Sequence, residues 1–75
     1  METVLVIGAA RSGIAVSKLL LKNGYHVVLT DSNKVNEKSE LESLGIEVFD
    51  EGHPDALKEK NYAFIVKNPG IPYRV

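Results

Sequence analysis

Short, continuous apolar runs alternate along this chain with longer polar stretches whose apolar residues recur at helical spacing. Val4-Leu5-Val6-Ile7 is an unbroken run rich in β-branching and closed by Gly8. Such a run suits a strand covered on both faces, as parallel strands are. Ser12 is placed to cap a following helix, in which Ile14, Ala15, Val16, Leu19 and Leu20 form a broad apolar stripe. Lys22-Asn23-Gly24 reads as its stop, with a cation at the negative dipole end and glycine at the left-handed cap position. Residues 25–30 predict a second buried strand, followed by the turn-forming cluster Asp31-Ser32-Asn33.

Residues 36–44 predict a helix with a thin stripe of Leu41 and Leu44, helped by Val35. Ser39 and Glu42 stand at capping-box spacing, so the helix starts as late as residue 39 on that reading. Gly45 ends it. Ile46-Glu47-Val48-Phe49 alternates, the pattern of an edge strand with one partly wet face. A loop over residues 50–53 leads to Pro54, at home in the first turn of a short helix running to about Lys60. Residues 62–66 form a fourth apolar run, expected to be a buried strand. In Lys67-Asn68-Pro69-Gly70-Ile71-Pro72 two prolines forbid a helix and Gly70 permits a tight backbone.

The order βαβαβαβ with short connections predicts a small α/β fold: a Rossmann-like, doubly wound parallel sheet of four strands in the order 3-2-1-4, with helices on both faces. That order puts the alternating third strand on an edge. It also sets the loops after strands 1 and 4 on either side of the topological switch point, where open α/β sheets bind ligands.

Size and composition narrow the field. Seventy-five residues make a single domain spanning 1–75, and a chain this short buries only about 60% of its unfolded surface, so its stability is modest. A net charge of −1 gives no electrostatic reason to expect a nucleic-acid or anionic membrane partner. With no cysteine there is no disulfide, thiolate nucleophile or cysteine metal site. The apolar runs fall far short of the roughly 20 residues that span a bilayer, and Met1-Glu2-Thr3 lacks the basic start of a signal peptide. A cytoplasmic location is the expectation.

The candidate chemistry concentrates in the first turn. Gly8 lets the chain turn sharply, and the free N–H groups and positive dipole end of the helix that follows make a small anion site for a phosphate. Ser12 and the amides around Arg11 would hold it, and the Arg11 guanidinium either adds a charge-assisted contact or is simply solvated. The spacing Gly8-x-x-x-x-Gly13 carries Ala10 where a dinucleotide fingerprint has its middle glycine, which speaks against ordinary NAD binding. Asp31, 18 residues after Gly13, stands where an acidic residue binds a ribose or a base N–H. The lesser reading of this residue is a helix or turn cap. His26 and His53 have no metal-ligand spacing, and Tyr25, Phe49, Tyr62 and Phe64 lie within strands as core residues. No glycine precedes a lysine, so there is no P-loop, and no set of catalytic groups or metal ligands is recognisable.

Gly8-Ala9-Ala10-Arg11-Ser12-Gly13, Asp31, Leu41-Glu42-Ser43-Leu44-Gly45-Ile46, Gly52-His53-Pro54 and Val66-Lys67-Asn68-Pro69-Gly70-Ile71-Pro72-Tyr73 together resemble the N-terminal domain of the D-glutamate-adding Mur ligases of peptidoglycan synthesis. The likeness covers nearly the whole chain, and the Lys-Asn-Pro-Gly-Ile-Pro-Tyr run is its most specific part. It implies a truncated first domain that binds the UDP moiety of UDP-N-acetylmuramoyl-L-alanine, while ATP, magnesium and D-glutamate are handled by the central and last domains of the full enzyme. On its own the chain is then inactive and binds no cofactor. The resemblance assigns Arg11 and Ser12 to the diphosphate, Asp31 and Ser32 to the uracil or its ribose, and Asn68, Pro69 and Gly70 to the other side of the uracil. Ala10 replaces a glycine of many relatives and Asn68 a serine of some.

The family's first domain carries a fifth strand beyond this sequence, so the resemblance also implies an unpaired edge on strand 4 and self-association through residues 62–66. Two competing readings stand beside it: an NAD-binding Rossmann module of a dehydrogenase or regulatory domain, and an interaction domain whose glycine loop holds nothing.

Overall fold

A computed structural model describes residues 2–52 and 61–67. Its elements are β1 (Thr3–Ile7), α1 (Arg11–Lys22), β2 (His26–Thr30), α2 (Lys38–Ser43), β3 (Glu47–Phe49) and β4 (Phe64–Lys67). The strands form one sheet in the order β3-β2-β1-β4, and every adjacent pair is parallel. This is the expected doubly wound order. The chain steps outward from β1 to β3 and then returns to the far side of β1, leaving the switch point between β1 and β4.

The continuous apolar runs of β1 and β2 are explained by their central place, because both faces of each strand are covered. One face carries Val4, Val6, Val27, Leu29 and Val48, packed with Leu41 of α2, Ile46, Val35 and the α1 residues Ile14, Leu20 and Leu21. The opposite face buries Leu5 and Val28 against Ile7, Phe49 and Tyr62. Both described helices therefore lie on the first face. The helix expected to open at Pro54 falls outside the described residues.

Three sequence expectations are corrected here. In α1 the residues turned fully inward are Gly13 and Ser17, not the larger apolar ones, and Leu19 is 59% exposed. Positions 13, 14, 17, 20 and 21 form the inner stripe, with the small residues Gly13 and Ser17 the most deeply buried. Ser17 is tolerated there because its hydroxyl donates to the Gly13 carbonyl at 2.8 Å.

In α2, Leu41 is fully buried while Leu44 is 49% exposed. The helix has only six residues and its N-cap is Glu37, so Ser39 lies inside the first turn rather than capping it. Val35, ahead of the helix, fills the core position that Leu44 does not.

The fourth apolar run is not buried, for Phe64 and Ile65 are 42% and 54% exposed. β4 is the end strand, and only β1 flanks it among the described strands. Phe64 still packs edge-on against Tyr25, ring centroids 5.5 Å apart, across the amino end of the sheet. The alternating β3 occupies the opposite edge as expected, and there His26 of β2 pairs with Glu47.

Candidate functional site

The site is built at the carboxyl end of β1. Gly8 adopts φ +111°, a conformation that glycine reaches without a Cβ penalty, and its N–H donates to the Thr30 carbonyl at 2.8 Å. The chain turns away from the sheet while still fastened to β2. Ala10 is extended, with φ −70° and ψ 174°, and α1 begins at Arg11.

Ser12 is not the cap that its residue type promised. The N-cap is Ala10, which has no side chain able to accept, and no side chain hydrogen-bonds to this helix start. The first helical bond runs from the Ile14 N–H to the Ala10 carbonyl at 3.0 Å. The amides of Arg11, Ser12 and Gly13 thus find no acceptor among the described residues, and no acidic residue sits in the first turn. A 12-residue helix with an uncapped start presents unsatisfied donors and a positive dipole end together. Arg11 and Ser12 are both exposed beside it.

Asp31 closes β2 and ties the neighbouring loops together. Its Oδ2 accepts the Ala9 N–H at 2.7 Å, and its Oδ1 accepts the Asn33 N–H at 2.7 Å. Its own N–H donates to the Phe49 carbonyl at 3.0 Å, and its carbonyl accepts the Gly52 N–H at 3.1 Å. The turn-capping reading of this residue is therefore realised in the structure. Ser32, its neighbour, is exposed.

A second brace escaped sequence reasoning. The Asp50 carboxylate accepts the Val35 N–H at 3.0 Å and the Lys38 ammonium at 3.3 Å. The Val35 amide, then Lys38, hold this carboxyl below its ordinary range against the opposing effect of burial. Glu51, next along, takes φ +58° and donates its N–H to the Asn33 carbonyl at 3.1 Å. The only hint in the sequence was a carboxylate at a strand end, which is too common to single out.

Asn68, Pro69 and Gly70 lie outside the described residues. β4 ends at Lys67, in register with Ile7, so the strand that leads to them finishes level with the end of β1, one residue before the glycine turn. Among the described residues no group of three or more His, Asp or Glu side chains could hold a metal, and no helix is long and apolar enough to cross a membrane. The arrangement offers donors for an anion and brings no nucleophile and base together.

Fold and site define a doubly wound α/β domain whose uncapped helix start faces the switch point. No family model matches the chain. Among curated proteins it is 47% identical to the UDP-N-acetylmuramoylalanine--D-glutamate ligase of Staphylococcus epidermidis and 45% identical to that of Staphylococcus haemolyticus, each over 99% of this chain. It is 43% identical, over 96% of the chain, to the ligase of the same name from Bacillus thuringiensis. The sequence is that of a segment of a protein of this ligase type, and it spans 17% of the length of each of these relatives.

Proposed function

We propose that this chain supplies the UDP-binding part of a ligase that joins D-glutamate to UDP-N-acetylmuramoyl-L-alanine in a cytoplasmic step of peptidoglycan precursor synthesis. The observation that carries the proposal is the uncapped start of α1 beside a glycine turn at the switch point, in a chain so similar to ligases whose name contains both substrates.

On this reading the first-turn amides and the Arg11 guanidinium hold the diphosphate, with the Ser12 hydroxyl as a further donor. Asp31 and Ser32 meet the uracil or its ribose. Asn68, Pro69 and Gly70 approach the uracil from the β4 side. The chain's contribution is to bind and orient. Activation of the substrate carboxylate by ATP, with magnesium, and attack by the D-glutamate amine belong to parts of the ligase outside this sequence.

A calorimetric titration with UDP, with NAD as the parallel control, tests this. Binding of UDP that NAD does not reproduce supports it, with weak affinity because the rest of the ligase also contacts the substrate. Binding of NAD alone would identify a dinucleotide module instead, and silence with both would contradict the proposal.

A further inference from the structure

Asp31 spans three loops that the sheet alone does not hold, two through its carboxylate and one through its backbone. β1 and β2 are locked in register as far as Ile7 and Thr30, but the chain beyond each is free to choose its path. The Gly8 N–H is fixed to the Thr30 carbonyl. One residue later the Asp31 side chain holds the glycine turn, through the Ala9 N–H at 2.7 Å. The other oxygen of the same carboxylate sets the turn after β2 through Asn33, and the backbone of Asp31 ties both to Phe49 at the end of β3 and to Gly52 beyond it.

This has an electrostatic consequence. Ala9 immediately precedes the N-cap of α1, so its amide is one of the donors that a bound phosphate could reach. A carboxylate already occupies it. An incoming anion is therefore left the amides of Arg11, Ser12 and Gly13, which have no acceptor among the described residues.

We infer that Asp31 is a positioning residue of the anion site: by holding the Ala9 amide it fixes the glycine turn and steers a diphosphate onto the first turn of α1. The inference rests on the UDP-binding reading and adds to the contact with the uracil or its ribose a second role, exerted through the loop. With the turn no longer held in its binding shape, Asp31→Ala is expected to bind the diphosphate roughly tenfold more weakly, the misplacement of the amides outweighing the removal of a like charge.

The experiment has two arms on the full chain. In the first, without ligand, NMR looks for the through-hydrogen-bond coupling between the Ala9 nitrogen and the Asp31 carboxyl carbon, and compares the amide shifts of Arg11, Ser12 and Gly13 with those in Asp31→Asn and Asp31→Ala. A visible coupling, with all three amides displaced in Asp31→Ala, is the expected result. The absence of the coupling, or unmoved amides, would overturn the inference whatever the nucleotide does. In the second arm UDP and uridine are titrated into each form. A loss of UDP affinity several times greater than any loss for uridine, partly restored in Asp31→Asn, supports positioning. Equal losses for both ligands would show that the carboxylate acts through the nucleoside alone and overturn it. Failure of the unmodified chain to bind UDP would instead strike the functional reading, with the first arm still deciding how the loop is held.

Discussion

The Oδ2 of Asp31 accepts the backbone N–H of Ala9 at 2.7 Å, joining residues 22 positions apart in the sequence. Through this bond the end of β2 governs the shape of the turn after β1. The predictions below follow from that junction and from the packing beneath it.

Arg11 is exposed at the first turn of α1, so its removal should leave the fold alone and weaken the anion. Arg11→Ala is expected to lower UDP affinity roughly tenfold, the worth of one charge-assisted contact. The melting temperature should stay within a degree or so of the unmodified chain, because isolated surface changes of this kind fall within about 0.5 kcal/mol. Calorimetry and a thermal melt on the same sample separate the two effects.

Ser17 is fully buried against the sheet, and its hydroxyl is satisfied within the helix. Ser17→Leu adds two heavy atoms net at a fully buried position, and should destabilise the domain by about 1–3 kcal/mol. Ser17→Ala should be close to neutral, since donor and local acceptor bond each other weakly. Urea denaturation monitored by circular dichroism distinguishes them, and equal midpoints for the two variants would contradict close packing here.

Leu41 is the one fully buried side chain that α2 contributes among the described residues. Leu41→Ala should cost about 2–5 kcal/mol. In a domain this small that is a large share of the total, so substantial unfolding at room temperature is the expected outcome. A sharp native NMR spectrum for this variant would show that α2 is not anchored as described.

Asp50 links stability to pH. Its carboxyl is lowered from an ordinary value of 3.8, first by the Val35 amide and then by Lys38. A depressed folded value means that the carboxylate's stabilisation is complete above the ordinary value and is lost as pH falls through the lowered one. The stability difference between the unmodified chain and Asp50→Asn should therefore be constant near neutrality and shrink below about pH 3.8. A difference that grows on acidification would reverse the sign and reject the brace.

Glu51 holds φ +58° without being glycine. The left-handed conformation costs an ordinary residue about 1–2 kcal/mol, and glycine's extra freedom in the unfolded chain takes back about 0.5–1 kcal/mol, so Glu51→Gly should gain roughly 0.5–1 kcal/mol. Differential scanning calorimetry should show a higher melting temperature. A drop would mean that the Glu51 side chain contributes more than its backbone costs.

What was legible in the sequence follows from what leaves a local mark. β1 and β2 announce themselves because a central parallel strand must be apolar at every position, and the alternation of residues 46–49 marks an edge for the converse reason. Hydrophobicity alone misled where packing distance mattered more: Gly13 and Ser17 face the core because they are small, so Leu19 faces water. β4 looked buried because its residues are apolar, but its place at the end of the sheet leaves Phe64 and Ile65 exposed. At the site, the position of Asp31 at the end of β2 was readable from spacing. Its grip on Ala9 was not, because a bond between residues so far apart in sequence depends on the sheet that brings them together. Ser12 failed as a cap for a related reason, since the turn at Gly8 delivers Ala10 to the cap position and starts the helix one residue before Ser12.

An amide-shift map of the isotopically labelled chain during a UDP titration decides whether the first turn of α1 holds the nucleotide. Saturable shifts are expected at Arg11, Ser12, Gly13 and Asp31, with matching changes at Gly70. Shifts confined to α2 or the β3 edge, or the same first-turn shifts produced by NAD and not by UDP, would contradict such binding.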